Sequence, residues 1–206
     1  MTKPSEQDRA PTPPQETAPG AVDTVDSYVA PHVEVLFDAE TIAARNRELV
    51  EQIVAAKPSK LVVIAVLKGS FVFAADLIRA MHAAGLAPEV EFITLSSYRD
   101  ARVSSGQVAV LRDIDSDVRG RDVLLVDDIL ESGRTLAFAK DLLAARGARR
   151  VMVCVLLEKP HKRAVQIDAD FVGFKCPDYF VVGYGMDVSH AYRQLPFIGY
   201  IPDLEG

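Results

Sequence analysis

The chain reads as an α/β protein, a mainly parallel sheet covered by helices on both faces. Three strand-like segments carry that expectation, the continuous apolar runs 61–66 and 151–157 and the segment 122–126, apolar after Asp122. Each has the pattern of a strand buried on both sides rather than one with a wet face. Helical periodicity between the runs completes the alternation of strand and helix typical of such folds.

The elements follow in order. Residues 39–56 place Ile42, Leu49 and Ile53 near helical spacing, with Asp38 as N-cap and Pro58 beyond the end. The first buried strand, at 61–66, runs into the turn Lys68-Gly69-Ser70. A helix then carries Phe71, Ala74, Leu77, Ile78 and Met81 and stops at Gly85. A strand is expected near 90–96, a polar loop over 97–106, and a returning strand over 107–111. The second buried run ends at Val126, and a helix from Thr135 to Arg146 stops at Gly147. The third run, 151–157, precedes shorter strands near 171–174 and 180–184. No internal repeat is visible.

A chain of 206 residues suits one domain, or one with a small hood. Its hydrophobic share of 49% and charged share of 25% are those of ordinary globular proteins. The net charge of −6 argues against a general nucleic-acid binder, which needs a basic face, but leaves room for a phosphorylated small ligand. Cys154 and Cys176 have no partner spacing and sit among apolar neighbours, which favours a reduced intracellular protein over a disulfide scaffold. No apolar run approaches the ~20 residues that span a bilayer, and the N-terminus has no signal-peptide pattern. The protein reads as cytoplasmic. Residues 1–27 hold Pro4, Pro11, Pro13, Pro14 and Pro19 with almost no large apolar side chains. Such a stretch cannot bury enough surface to offset its ordering entropy, so a disordered tail is expected at 1–27 and a folded domain at 28–206.

The strongest chemical signal is the run Val123-Leu124-Leu125-Val126-Asp127-Asp128-Ile129-Leu130-Glu131-Ser132-Gly133-Arg134-Thr135. A buried strand leads to two carboxylates, a short polar loop and a helix start. In a parallel α/β sheet, ligands collect beyond the carboxyl ends of the strands. Gly133 lets the backbone approach a ligand closely. Ser132, Gly133, Arg134 and Thr135 aim amides and hydroxyls at the positive end of the following helix, a cradle for a monophosphate. Asp127 and Asp128 suit ribose hydroxyls, directly or through a metal's water shell. Taken alone, the same residues also read as a plain polar loop with a helix cap.

This run resembles the PRPP (5-phosphoribosyl diphosphate) signature of type I phosphoribosyltransferases. Other segments narrow the resemblance to the hypoxanthine-guanine phosphoribosyltransferase family. Leu67-Lys68-Gly69-Ser70 is similar to its diphosphate loop, and Ser97-Tyr98 to the start of its mobile catalytic loop. Lys159 resembles its purine-reading lysine. The stretch from Pro177 to Asp187, followed by Arg193, resembles its purine-binding hood. The likeness covers roughly residues 33–201, in the expected order.

The resemblance implies a type I phosphoribosyltransferase fold, with a hood formed by the start of the body and about 160–206. It implies magnesium, with the substrates PRPP and hypoxanthine or guanine, and assembly as a homodimer or homotetramer without nucleic acid or membrane. By the same likeness Lys68, Gly69 and Arg193 bind diphosphate, and the peptide bond between Leu67 and Lys68 is cis. Lys159 donates to the purine 6-oxo group. Phe180 stacks on the base while the Val181 backbone reads its edge. Asp187 binds magnesium directly or through water, with Asp127 and Asp128 contributing through water or ribose. Glu131 is the proton acceptor at purine N7.

Glu131 stands where the family more often has Asp, and Ser70 where some members have a second glycine. The tail has no recognised counterpart. PRPP-binding regulators share the main signature. One that binds DNA would need a further module, for which the 27-residue tail is too short, and one that binds RNA would favour a basic face. Use of xanthine or adenine is the closer alternative.

Overall fold

The structure, a computed structural model, describes residues 32–97 and 108–205. The expected tail over 1–27, Tyr98 and most of the expected polar loop lie outside the described residues. The body opens with β1 (Glu34–Phe37) and α1 (Ala39–Ala55), then β2 (Val62–Leu67), α2 (Phe71–Ala83), β3 (Glu89–Ser97) and β4 (Val108–Arg112). It continues through β5 (Asp122–Leu130), α3 (Arg134–Ala145), β6 (Arg150–Glu158) and a short 3₁₀ turn (Pro160–Lys162). Strands β7 (Phe171–Lys175), β8 (Tyr179–Val182) and β9 (Ile198–Glu205) complete it.

Six strands form the main sheet in the order β4-β3-β2-β5-β6-β7, all parallel except the edge strand β4. Alternate residues of each central strand face opposite layers. Val63 and Ala65 of β2, Leu124 and Val126 of β5, and Met152, Cys154 and Leu156 of β6 pack with Leu49, Ile53, Phe73 and Leu77 of α1 and α2. Val62, Ile64, Val123, Leu125, Val153 and Val155 pack instead with Leu136, Ala139 and Leu143 of α3. Both faces of the three apolar runs are therefore covered. The two cysteines are free and buried, Cys154 within β6. Among the described residues no helix is long and apolar enough to cross a membrane.

The cap on α1 forms as its sequence dictates: Asp38 Oδ1 accepts from the Thr41 amide at 2.8 Å. The helix buries Ile42, Asn46, Leu49, Val50 and Ile53 on one stripe. A second sheet is antiparallel, with order β1-β9-β8. It has its own small cluster around Val182, Tyr192 and Ile201. Neither β1 nor β9 was expected from the sequence. Pro202 would argue against a central strand, but it lies beyond Tyr200, which faces Glu34 of β1, and within the irregular stretch of the β8–β9 register.

Two boundaries move with consequences for the site. The strand expected over 180–184 ends at Val182, because Gly183, Tyr184 and Gly185 all have positive φ. The strand expected to end at Val126 runs on to Leu130. Its pairing with β2 stops at Val126, opposite Ala65, whereas its pairing with β6 continues to Leu130 opposite Glu158. The two acids thus sit on a strand edge that β2 has already left.

Candidate active site

The crevice between β2 and β5 is where the sheet changes direction: from β2 the chain moves outward to β3, and from β5 it moves the other way to β6 and β7. Ligand sites in open α/β sheets form at such switch points. Asp127 is 7% exposed. Its Oδ1 accepts from the Asp128 amide at 3.0 Å, and Asp128 Oδ1 accepts from the Ile129 amide at 2.9 Å. Burial, then the neighbouring Asp128 charge, pushes the Asp127 carboxyl well above the usual carboxylate range. Burial also raises Asp128, with the Arg193 charge opposing it.

Gly69 closes one side of the crevice. A Cβ at position 69 would lie 1.6 Å from Asp128 Oδ2, so the carboxylate occupies the space that only glycine leaves. The peptide bond between Leu67 and Lys68 is cis, and the Lys68 side chain is exposed. Ser70 is buried and its hydroxyl donates to the Val66 carbonyl at 2.5 Å. A third segment meets the same loop, since a Cβ on Gly185 would fall 2.3 Å from the Gly69 carbonyl oxygen. Arg193 Nη1 donates to the Gly185 carbonyl at 2.7 Å, and its Nη2 lies 2.6 Å from Asp187 Oδ1. Asp187 Oδ2 accepts from the His190 amide at 2.9 Å. Gly69, Asp128, Gly185, Asp187 and Arg193, distant in sequence, form one constellation.

On the other side, Lys159 directly follows β6 and is 5% exposed, not the surface lysine that its neighbour Pro160 suggests. Its ammonium donates to the Tyr179 carbonyl at 2.7 Å and lies 3.6 Å from Glu131 Oε1. The Lys159 amide donates to the Leu130 carbonyl, which holds the end of β6 against the end of β5. Gly133 opens α3 in the left-handed region at φ +80. The Ser132 carbonyl accepts from the Ala164 and Val165 amides, while Ser132 Oγ lies 3.4 Å from the Arg134 amide. The amides of the first turn of α3 have no partner within the helix, as at any helix N-terminus. Arg134 is exposed and Thr135 half-buried. Val181 is buried against the main core, whereas Phe180 is half-buried and packs on the small cluster of the second sheet. Ser97 is the last residue of β3.

Two further residues touch this machinery without having been expected. Arg163 donates to the Glu131 carbonyl at 3.0 Å and to Glu158 Oε1 at 3.1 Å, tying the loop after β5 to the end of β6. Nothing in its local sequence marks that role. Tyr184 anchors the turn before Asp187. Its place between two glycines was a legible signal.

Among the described residues no three His, Cys, Asp or Glu side chains converge on one metal position. The site offers instead a buried pair of hard oxygen donors whose mutual repulsion a divalent cation would relieve. Magnesium is commonly held by one or two carboxylates together with substrate phosphates, so the donor set fits.

The phosphoribosyl transferase domain family model matches residues 32–189. The hypoxanthine phosphoribosyltransferase of Escherichia coli (strain K12) is 42% identical over 172 residues, spanning 82% of this chain and 95% of that protein. The hypoxanthine-guanine phosphoribosyltransferase of Bacillus subtilis (strain 168) is 41% identical over 169 residues, 82% of this chain and 92% of that one. Among solved structures, a hypoxanthine-guanine phosphoribosyltransferase from Bacillus anthracis aligns at TM-score 0.75 with 42% identity, covering 82% of this chain and 99% of that chain. Fold, order of site segments and likeness along nearly the whole of these relatives agree: the chain belongs to the hypoxanthine-guanine phosphoribosyltransferase family.

Proposed function

We propose that the chain moves the 5-phosphoribosyl group of PRPP onto N9 of hypoxanthine or guanine, giving IMP or GMP and diphosphate in purine salvage. The observation that carries the choice of base is Lys159, a buried ammonium 3.6 Å from Glu131 at the end of β6. A 6-oxo purine accepts from such a group, whereas the 6-amino group of adenine is itself a donor. Phe180 stacks on the base and the Val181 backbone reads its edge. Asp127 and Asp128 hold the ribose hydroxyls. Ser132, Gly133, Arg134 and Thr135 hold the 5-phosphate, and Lys68, Gly69 and Arg193 the diphosphate.

The reaction breaks the bond from ribose C1 to diphosphate and forms the bond from C1 to N9, through an oxocarbenium-like state. Glu131 takes the proton from N7 as N9 attacks. Basic side chains meet the charge growing on diphosphate, and holding both substrates in line across one crevice supplies much of the acceleration. Asp187, directly or through water, and Asp127 and Asp128, through water or ribose, would hold magnesium, which would add positive charge beside the diphosphate.

Nucleotide formation from PRPP, magnesium and each purine in turn tests this reading. Hypoxanthine and guanine are expected to react and adenine to be rejected. Lys159→Gln is expected to lower kcat/KM for both oxopurines by about ten- to a hundredfold with PRPP affinity nearly kept, since a charged donor is lost from a buried hydrogen bond. An equal fall in PRPP affinity would assign Lys159 to the donor half instead.

The enzyme works in the cytoplasm as a homodimer or homotetramer, and residues 1–27 are a dispensable tail on a domain spanning 28–206. Deleting 1–27 is expected to leave the thermal midpoint within about a few degrees and turnover within about tenfold of the parent. A larger loss in either measurement would show that the tail joins the fold or the site.

A further inference from the structure

The turn that leads to Asp187 and Arg193 packs on the two helices behind it and is hydrogen-bonded to both through one phenol hydroxyl. Tyr184 is 5% exposed, and its Oη donates to Asp76 Oδ2 at 2.5 Å and accepts from Asn46 Nδ2 at 3.0 Å. Asn46 lies on α1 and Asp76 on α2. The latter helix begins three residues after Lys68, so one rigid element carries both the Gly69 loop and the anchor for the opposing turn. Arg79 pairs with Asp76 from the outer side.

The backbone explains why an anchor is needed. Gly183, Tyr184 and Gly185 have φ of +91, +48 and +103. For the two glycines that region is open. A tyrosine stays there only where surrounding contacts enforce it. Here the contacts are the two phenol hydrogen bonds and the bond from the Tyr184 amide to the Leu195 carbonyl at 2.9 Å.

What the anchor controls lies one residue on. Gly185 packs directly on the Gly69 carbonyl, its own carbonyl accepts from Arg193 Nη1, and its amide donates to the Arg193 carbonyl at 3.1 Å. A small rotation at Tyr184 therefore moves Gly185 against the Gly69 loop and shifts the Arg193 guanidinium away from Asp187 and Asp128. Glu131 and Lys159 hang from the ends of β5 and β6 and are not tied to this hydroxyl. We infer that Tyr184, held by Asp76 and Asn46, is a positioning residue for the diphosphate half of the site, setting the gap between the Gly69 loop and the Arg193–Asp187 pair. The inference rests on the reading that this crevice takes PRPP.

Tyr184→Phe keeps the ring and removes the hydroxyl. The KM for PRPP and the calorimetric Kd for diphosphate are expected to rise by about tenfold or more, since misplacement by about 1 Å can cost up to 10²-fold, with the KM for hypoxanthine within about twofold. Asp76→Asn retains an oxygen acceptor and is expected within about threefold of the parent, while Asp76→Ala matches Tyr184→Phe and adds little when combined with it. Arg79→Met is expected to leave PRPP KM unchanged, which separates the phenol bond from the outer ion pair. Should Tyr184→Phe fold poorly by circular dichroism, the contrast of Asp76→Asn with Asp76→Ala carries the same test. An active parent with unchanged PRPP KM in Tyr184→Phe, or equal rises for PRPP and hypoxanthine, overturns the inference alone. A parent that makes no IMP from PRPP and hypoxanthine overturns the functional reading and this inference with it.

Discussion

Replacing Glu131 by Gln is expected to slow the chemical step by about 10²- to 10⁴-fold, the usual contribution of a positioned general base, with PRPP binding largely kept. Glu131 follows the acid pair by three residues and precedes the phosphate loop, and Arg163 holds its carbonyl from the far side at 3.0 Å. Its carboxylate lies 3.6 Å from the Lys159 ammonium, so the proposed proton acceptor and the proposed oxo-group donor are neighbours. Two effects must be separated. Glutamine also leaves the buried Lys159 without its anionic neighbour, which lowers stability and disturbs base binding. Single-turnover rates at saturating hypoxanthine isolate chemistry from both, and from product release, which can mask it in the steady state. Glu131→Asp keeps the charge and is expected to recover much of the rate, provided the shorter side chain still reaches N7. A single-turnover rate for Glu131→Gln within about threefold of the parent would move the proton to Asp128 or solvent.

The parallel core was legible because its signal is local. Val62, Val63, Ile64, Ala65 and Val66 form an unbroken apolar run, and a strand buried on both faces needs one. The helices announced themselves through Asp38, Gly85 and Gly147 at their ends. What failed was non-local. Strand β5 continues past Val126 only because β6 is long enough to pair with it as far as Glu158, and nothing within 127–130 encodes that partner. Strands β1 and β9 stabilise each other from opposite ends of the body, and each alone is too short or too polar to be seen.

The site divides in the same way. The acid pair and the loop from Ser132 to Thr135 lie on one continuous run, so a ribose-and-phosphate expectation followed from composition and order, whereas Glu131 gained its expected role by resemblance. Lys159, Phe180 and Arg193 carried meaning only by resemblance, because their own neighbourhoods look like loop, core and surface. The bond from Arg163 to the Glu131 carbonyl joins residues 32 apart, and that from Tyr184 to Asp76 joins residues 108 apart. Such bonds follow from the folded geometry and leave no spacing to recognise.

Gly69→Ala is expected to lower kcat/KM for PRPP by about 10²-fold while leaving the fold intact, because one methyl group displaces the carboxylate proposed to hold the ribose. The new Cβ would sit 1.6 Å from Asp128 Oδ2 and 2.6 Å from its Cγ, a separation no side chain tolerates. Something must move, and two of the three candidates are constrained. The backbone at 69 is backed by Gly185, which leaves 2.3 Å between its own Cβ position and the Gly69 carbonyl. Strand β5 is fixed by its ladder to β6. The Asp128 side chain is left to swing, breaking its bond to the Ile129 amide and leaving the position proposed to hold the ribose. Gly85 provides the opposite case: its φ is +83 with nothing within 4 Å of a Cβ, so Gly85→Ala is expected to lower the thermal midpoint and spare turnover. A double-mutant cycle identifies the cause. If Gly69→Ala acts through Asp128, adding it to Asp128→Ala costs little beyond Asp128→Ala itself, whereas independent effects would multiply. Full multiplication, or a Gly69→Ala enzyme within about threefold of the parent, would mean that the loop yields instead and that the close packing of Gly69 on Asp128 does not set the site.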